Sequence, residues 1–491
     1  EIADSGADSA DVVRFTSTTA QTLTIYAGDT GLEQIIICTA VGVTTGTTAE
    51  IINASAAANA LTIIGNAGAN TLTGTAFADT INGNAGIDTI TGGGGTDAMD
   101  GGAGNDIYLV SSAADHAAAE ISDTGGDTAD VVRFTSTAAQ TLVIHAGDAG
   151  VEQVVIGTAA GVTTGTTAES VNASAAANAL TITGNDGANT LTGTAFADTI
   201  NGNAGNDIIA AGAGNDTITG GTGTDSMDGG AGSDIYLIAT AAQHGAAEIA
   251  DSGGDAADVV RFTSTAAGTL TIYAGDTGIE QVVVSDTAGV TTGTTAENIN
   301  AASAPNALTL TGNAGANALT GTAFADTIMG GAGADVVTGG AGSDTIDITD
   351  AGVAAANSAR VVIGSVAHGT DVITGFSAAA LASGGDVIDV SGIASLVDSV
   401  ATGLTVGSDF GANNVFVFGA TPTTIDAAAA SIAADASVVA TNGYIVIADA
   451  TNSGAVTVFH STDLANDGAK TALAILSGTN IATLSAANIL V

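Results

Sequence analysis

From Glu1 to about Asp350 the large apolar side chains for the most part neither cluster in runs nor fall at helical spacing. In three stretches they stand singly, one in every ninth position. From Gly65 the chain reads GNAGANTLT, GTAFADTIN, GNAGIDTIT, GGGGTDAMD and GGAGNDIYL, with Asp or Asn sixth and an apolar residue or Tyr eighth. A three-residue strand points its middle side chain to one face and its neighbours to the other, so the eighth position faces inward. The glycine-rich first half predicts a tight turn. Two nonapeptides then make one flattened coil turn, with a narrow core of eighth-position side chains. The segments between the stretches alternate instead: Val12, Leu23, Ile25, Ile35, Ile37 and Val43 lie among abundant Thr and predict further strands.

A longer period overlies the short one. EIADSGADSADVVRFTST at Glu1 returns as EISDTGGDTADVVRFTST at Glu120 and as EIADSGGDAADVVRFTST at Glu248. The interval from Glu120 to Glu248 exceeds that from Glu1 to Glu120 by one nonapeptide, and the second copy holds one extra unit, AGAGNDTIT at Ala211–Thr219. The nonapeptide is therefore the structural quantum. The predicted organisation is copy one over 1–119 with its repeat block at 65–109, copy two over 120–247 with its block at 184–237, copy three over 248–347 with its block at 312–347, and a C-terminal domain over 348–491.

The units resemble the repeats-in-toxin (RTX) consensus G-G-x-G-x-D-x-U-x, a calcium-binding parallel β-helix repeat. GGAGNDIYL and GGAGSDTID follow it closely; Phe77, Phe196 and Phe324 stand at a usual Gly position. The resemblance implies an all-β fold: tandem parallel β-roll or β-helix solenoid blocks, intervening β segments and a mainly β C-terminal capping and secretion domain. It also implies Ca2+ between successive turns, held by stacked carboxylates and turn carbonyls. The implied pairs are Asp79 with Asp97, Asp88 with Asp106, Asp198 with Asp216, Asp207 with Asp225, Asp216 with Asp234, and Asp326 with Asp344. Asn70 with Asp88, Asn189 with Asp207 and Asn317 with Asp335 are weaker pairs, whose Asn members would cap the ladder with less charge. Stacked carboxylates about 4.8 Å apart repel unless a hard, oxygen-seeking cation lies between them. Asp also favours turns on its own account, but that preference does not demand one at every ninth position beside Gly.

Composition narrows the function. Five Lys and Arg against 50 Asp and Glu leave a net charge of −45, which argues against phosphate-backbone binding and so against nucleic acid. Hydrophobic residues at 45% with only 11% charged residues exclude a disordered chain. No apolar run is long enough to span a bilayer, which takes about 20 residues, so no transmembrane helix is expected. The single Cys38 cannot staple the fold and reads as a small buried apolar residue; calcium would replace the missing disulfides. Glu1 enters in mid-pattern, which reads as part of a longer chain.

Asp4, Asp8 and Asp11 recur as Asp123, Asp127 and Asp130 and as Asp251, Asp255 and Asp258, which reads equally as extra calcium sites or as solvated turn acids. Arg14, Arg133 and Arg261 occupy one equivalent place per copy and suggest a local ion pair or a contact to a neighbouring subunit. His116 and His244 occupy matched places without three-ligand spacing and read as exposed structural histidines. Beyond Ser358, HGTDVITGFSAAALASGGDVIDVSGI resembles the segment that closes RTX rolls ahead of a type I secretion signal, with Asp371, Asp386 and Asp389 as candidate calcium or capping acids. A hairpin turning at Asn452–Gly454 and a helix over TIDAAAASIAAD are predicted there, and the terminal AANILV also resembles such signals.

No HExxH, GxSxG, phosphate loop or Cys–His cluster is present, so the chain does not read as an enzyme. Four readings follow. The first is a calcium-dependent, secreted structural protein of the cell surface that self-assembles into an S-layer, sheath or fibre. Its partners would be further copies of itself and a cell-surface polysaccharide met by a region outside this chain. The others are the calcium-stiffened extender and C-terminal region of an RTX adhesin, the secretion and folding tail of an exoenzyme, and an ice-binding face built on outward Thr pairs such as Thr71 with Thr73. Low cytosolic calcium would keep the chain exportable and external calcium would drive folding.

Overall fold

A computed structural model describes residues 11–39, 42–254 and 257–349 throughout, and beyond them Ala359 and the strands between Arg360 and Leu490. The chain divides into two compact units, Glu1–Ile235 with Asp251–Asp255, and Tyr236–Ala250 with Ala256–Val491. Each is a parallel β-solenoid.

In the first unit the strands of the copy-one block alternate between two parallel ladders. One joins Val12–Phe15, Gln34–Ile37, Thr62–Ile64, Thr80–Asn82 and Ala98–Asp100. The other joins Thr22–Thr24, Ile51–Asn53, Thr71–Thr73, Thr89–Thr91 and Ile107–Val110, then continues through Val131–Phe134 and Gln153–Ile156 into the copy-two block. Within the blocks a strand pairs with the one two nonapeptides further on, as Thr71 with Thr89. The spacers continue the same ladders with longer rungs: Val12 faces Gln34, Thr22 faces Ile51 and Ile107 faces Val131. The spacer strands are thus further coils of the solenoid, widened by loops.

The core is the row predicted from the pattern. Leu72, Ile81, Ile90, Met99 and Tyr108, the eighth residues of successive units, are all buried, and Cys38 is buried with the spacer core. Each three-residue strand shows a buried centre between less buried neighbours. One large apolar side chain per nonapeptide makes a thin core, since each contributes only about 1.5–3 kcal/mol.

The second unit repeats the plan. Val259–Phe262, Gln281–Val284, Thr309–Thr311, Thr327–Met329, Thr345–Asp347 and Asp371–Thr374 form one parallel ladder, which Lys470–Ser477 extends. Gly268–Thr271, Glu297–Asn300, Ala318–Thr320, Val336–Thr338, Arg360–Val362, Val387–Asp389 and Ile489–Leu490 form the other. Antiparallel pairing enters only at the C-terminal end, among the described residues. Gly443–Ala448 pairs with Val456–Ser461 and that strand with Lys470–Ser477, which matches the predicted hairpin. The predicted helix over TIDAAAASIAAD and Asp386 lie outside the described residues. Among those described, the helical elements are two 3₁₀ turns, Ala113–Asp115 and Ala241–Gln243, and no helix is long and apolar enough to cross a membrane.

Candidate metal centres

Two kinds of turn alternate with these strands, and the difference decides what the aspartates can do. In units from Gly83, Gly92 and Gly101 the second and fourth positions take left-handed φ: Asn84 +73° and Gly86 +114°, Gly93 +102° and Gly95 +111°, Gly102 +87° and Gly104 +135°. The same holds for the units from Gly202, Ala211, Gly220, Gly229, Gly330 and Gly339. Only Gly, and less readily Asn, adopts this conformation without strain, which accounts for the G-G-x-G spacing. A Cβ at Gly104 would also overlap the Gly86 carbonyl one rung below. By contrast, Asn66, Gly68, Thr75 and Phe77, at the same positions of the two units that open the first block, stay outside the left-handed region.

The sixth residues stack as predicted. In every implied pair the backbone N–H of the earlier residue donates to Oδ1 of the later one: Asp79 to Asp97 at 2.8 Å, Asp88 to Asp106 at 2.6 Å, Asp198 to Asp216 at 2.7 Å, Asp207 to Asp225 at 2.9 Å, Asp216 to Asp234 at 2.7 Å and Asp326 to Asp344 at 2.9 Å. Asn70, Asn189 and Asn317 donate in the same way to Asp88, Asp207 and Asp335. All of these residues are buried. One carboxylate oxygen of each accepting acid therefore belongs to the fold.

The second oxygen separates the two turn types. In the left-handed turns, Oδ2 of Asp88, Asp97, Asp106, Asp207, Asp216 and Asp344 is buried and accepts no hydrogen bond. In the opening units it is satisfied by protein. Asp79 Oδ2 accepts the Thr75 N–H at 2.6 Å and its Oδ1 accepts the Thr75 hydroxyl, and Thr194 and Thr322 do the same for Asp198 and Asp326. Asn70 Oδ1 accepts the Asn66 N–H while its Nδ2 donates to Asn66 Oδ1. Asn189 and Asn317 further donate to the backbone carbonyls of Glu169 and Glu297, a bond a carboxylate could not make. The opening rungs are closed by donors of the chain itself, and the inner rungs are left open.

Electrostatics follow the same division. Burial, reinforced by the stacked Asp106, pushes the Asp88 carboxyl up to about 8. Burial raises Asp106, Asp207 and Asp216 to about 7 and Asp97 and Asp344 to about 6, with neighbouring acids adding to it. A buried acceptor without a donor costs about 1–3 kcal/mol, and more when charged. An arrangement that repeats this at successive rungs demands a cation. Paired carboxylates with turn carbonyls nearby form an all-oxygen donor set, which suits calcium, a hard cation that takes six to eight oxygens.

A family model of the RTX calcium-binding nonapeptide repeat matches residues 62–76, 73–108, 183–218, 202–236 and 311–346. Those segments are RTX calcium-binding repeats, wound as a β-roll. No curated protein matches the chain. RTX repeats bind Ca2+, and the buried Oδ2 atoms of the left-handed turns that accept no hydrogen bond are the atoms that could hold it.

Beyond the RTX blocks the acidic rows continue through Asp130 and Asp371, candidate acids of the sequence reading, and through Glu120, which that reading did not offer. Asp106 N–H donates to Asp130 Oδ1 at 2.7 Å, and Asp97 N–H to Glu120 Oε1 at 3.0 Å. Asp344 N–H donates to Asp371 Oδ1 at 3.0 Å, which places Asp371 on the row as a capping acid. These links span 24, 23 and 27 positions, so the 18-residue step of the blocks does not reach them. The register of Val131–Phe134 on Ile107–Val110 is the signal that finds Asp130.

The expectation for the histidines is overturned. His116 is buried, with Nδ1 3.2 Å from Glu120 Oε2 and Nε2 3.1 Å from Asp148 Oδ2. His244 is likewise buried between Glu248 at 3.4 Å and Asp276 at 3.0 Å. Burial opposes a charge on His116, but the hydrogen bond and charge of Asp148, then Glu120, outweigh it and raise its pKa. Asp148 is lowered: burial works the other way, but the His116 hydrogen bond prevails. Charge complementarity draws His116 inside, because a buried acid pair needs a cation. The arginines act differently: Arg133 donates to the Ala159 carbonyl at 2.5 Å and Arg261 to that of Thr287 at 2.9 Å.

Proposed function

We propose that this calcium-binding protein is secreted and serves as a non-catalytic structural component of the cell surface, assembling with further copies of itself into an S-layer, sheath or fibre. The observation that carries this reading is the recurrence of the same exposed apolar residues in all three copies. Phe77, Phe196 and Phe324 are each 44% exposed, and Val43, Val162 and Val290 are 43–48% exposed. An isolated exposed apolar residue needs no explanation, but an aromatic repeated at one position of every copy supports a repeated contact. The Phe residues stand at the fourth position of turns that Thr75, Thr194 and Thr322 close without a cation, so they are not demanded by calcium binding. A net charge of −45 opposes association of copies unless cations screen it, which ties assembly to calcium.

Secretion follows from the same chemistry. Open carboxylates stacked on a thin core disfavour the roll where calcium is scarce, and cation binding outside the cell stabilises it by mass action. Electron microscopy of the purified chain in millimolar calcium and in EGTA tests the reading. A periodic sheet or filament that dissolves in EGTA, and that fails to form with Phe77, Phe196 and Phe324 all replaced by Ser, is the expected outcome. Discrete rods in calcium would favour the adhesin extender instead.

A further inference from the structure

The row through Asp88 and Asp106 runs past the last RTX unit of copy one into the segment DTGGDTAD, Asp123–Asp130, which lies outside the family match. Asp130 takes the place of the next RTX aspartate: its Oδ1 accepts the Asp106 N–H at 2.7 Å, as Asp106 Oδ1 accepts that of Asp88 at 2.6 Å. Asp123 is held separately. The Tyr108 hydroxyl donates to its Oδ2 at 2.6 Å and the Gly125 N–H to its Oδ1 at 2.9 Å, while the same hydroxyl accepts the Gly101 N–H at 2.7 Å. Tyr108 is fully buried, so this bridge fixes Asp123 against the last RTX turn.

One oxygen from each of Asp106, Asp123 and Asp130 lies within 4.8 Å of the other two. Two oxygens bound to one calcium at about 2.3–2.6 Å can stand up to about 5 Å apart, so the three fit one coordination shell. Acidic clusters on a surface are common and mean little, but here Asp106 is fully buried and its Oδ2 accepts no hydrogen bond. Asp127 adds a second buried oxygen without a donor, while its other oxygen accepts the Gly104 N–H. The ion pairs of His116 and His244 lie elsewhere, with Glu120 and Asp148 and with Glu248 and Asp276. The charge of Asp123, Asp130 and Asp127 adds to burial in raising Asp106.

The geometry points to a divalent-cation site of the calcium class formed by Asp106, Asp123 and Asp130, built outside the nonapeptide consensus and closing the copy-one row. It rests on the calcium reading of the RTX turns and extends it to the spacer. Asp130 leads into Val131–Phe134, whose ladder on Ile107–Val110 carries the solenoid toward copy two. A cation here couples order in the block to order in the spacer. The motif recurs in sequence as DSGADSAD at Asp4 and DSGGDAAD at Asp251.

The test is calcium stoichiometry of the full chain by equilibrium dialysis, with circular dichroism as the check on folding, for wild type and Asp123→Asn/Asp130→Asn. Asp130→Asn keeps the acceptor for the Asp106 N–H, and Asp123→Asn keeps the acceptor for the Gly125 N–H while its amide turns toward the Tyr108 hydroxyl oxygen, so both charges go at the cost of one hydrogen bond. The expected result is one calcium fewer per chain at saturation with an unchanged spectrum. Wild-type stoichiometry in the double variant overturns the inference. If the double variant fails to fold in calcium, Asp123→Asn alone decides, because its side chain lies off the ladder: the weakest calcium step should shift to at least tenfold higher concentration, and an unshifted titration overturns the site. A wild-type chain that binds no calcium would instead sink the RTX reading itself.

Discussion

Asp216 stands between Asp198 and Asp234 in the copy-two block and gives the sharpest test of why the inner rungs are open. It is fully buried, its Oδ1 accepts the Asp198 N–H, its own N–H donates to Asp234, and its Oδ2 accepts nothing. Asp216→Asn preserves the shape and the acceptor but removes the charge. Without calcium, burial raises this carboxyl from 3.8 to about 7. Each pH unit is worth about 1.4 kcal/mol, so ionising Asp216 above pH 7 costs the metal-free roll at most about 4 kcal/mol. Asn removes that cost. In EGTA at pH 8 the variant should therefore show more hydrogen-exchange protection over residues 199–235 than the wild type. In calcium the order should invert: one anionic ligand is lost from two adjacent rungs, and the calcium midpoint of copy two should rise by at least about tenfold. Asp79→Asn is the control. Its new amide would face the Thr75 N–H that now donates to Oδ2, so it should destabilise copy one by about 1–3 kcal/mol with or without calcium, leaving the calcium midpoint nearly unmoved. Equal midpoint shifts in the two variants, or lower protection of Asp216→Asn in EGTA, would refute the division into open and closed rungs.

Three further outcomes are expected. In EGTA, the carboxyls of Asp88, Asp106 and Asp97 rise in the folded state to about 8, 7 and 6, so their protonated forms favour the roll. That stability is fully present below about pH 4 and lost as pH rises through 6–8, so acidifying metal-free protein from pH 8 to 5 should increase β-structure by circular dichroism; a flat or opposite response would contradict it. Gly101→Ala places a Cβ on Asp106 Oδ2 and should abolish calcium-induced protection of residues 83–110, whereas Gly46→Ala meets only Asn66 Nδ2 at 3.7 Å and should be tolerated, which hydrogen exchange can compare directly. His116→Ala leaves Glu120 and Asp148 buried without their cation and should cost about 3–5 kcal/mol in denaturant unfolding near residues 113–148; the wild-type contribution is present below the unfolded histidine pKa and fades as pH rises through the raised folded value.

The periodicity of the chain was enough to foresee the solenoid, the inward eighth residue and the stacking of Asp88 on Asp106 two nonapeptides away, because all three depend on local spacing alone. It also showed Phe77, Phe196 and Phe324 departing from the glycine pattern, though not the consequence. Whether Asp79 or Asp97 keeps an open oxygen depends on the φ angles of a turn and on Thr75 standing in reach, and Asp occupies the sixth position in both cases. Asp130 and Glu120 lie off the 18-residue count because spacer loops vary in length, so the row they join is set by strand register and not by residue number. His116 looked exposed because nothing near it in sequence demands a cation, apart from Glu120.

What the sequence alone determined is the repeat, and with it the fold, the core row and the calcium chemistry of the consensus turns, since each is written within one or two consecutive nonapeptides. Only the tertiary structure decided which carboxylates are satisfied and which remain open, and where histidine stands between acids. The first outcome depends on turn dihedrals and on a donor brought into reach within one turn, as Thr75 on Asp79, and the second on charges up to 32 residues apart, as His116 and Asp148.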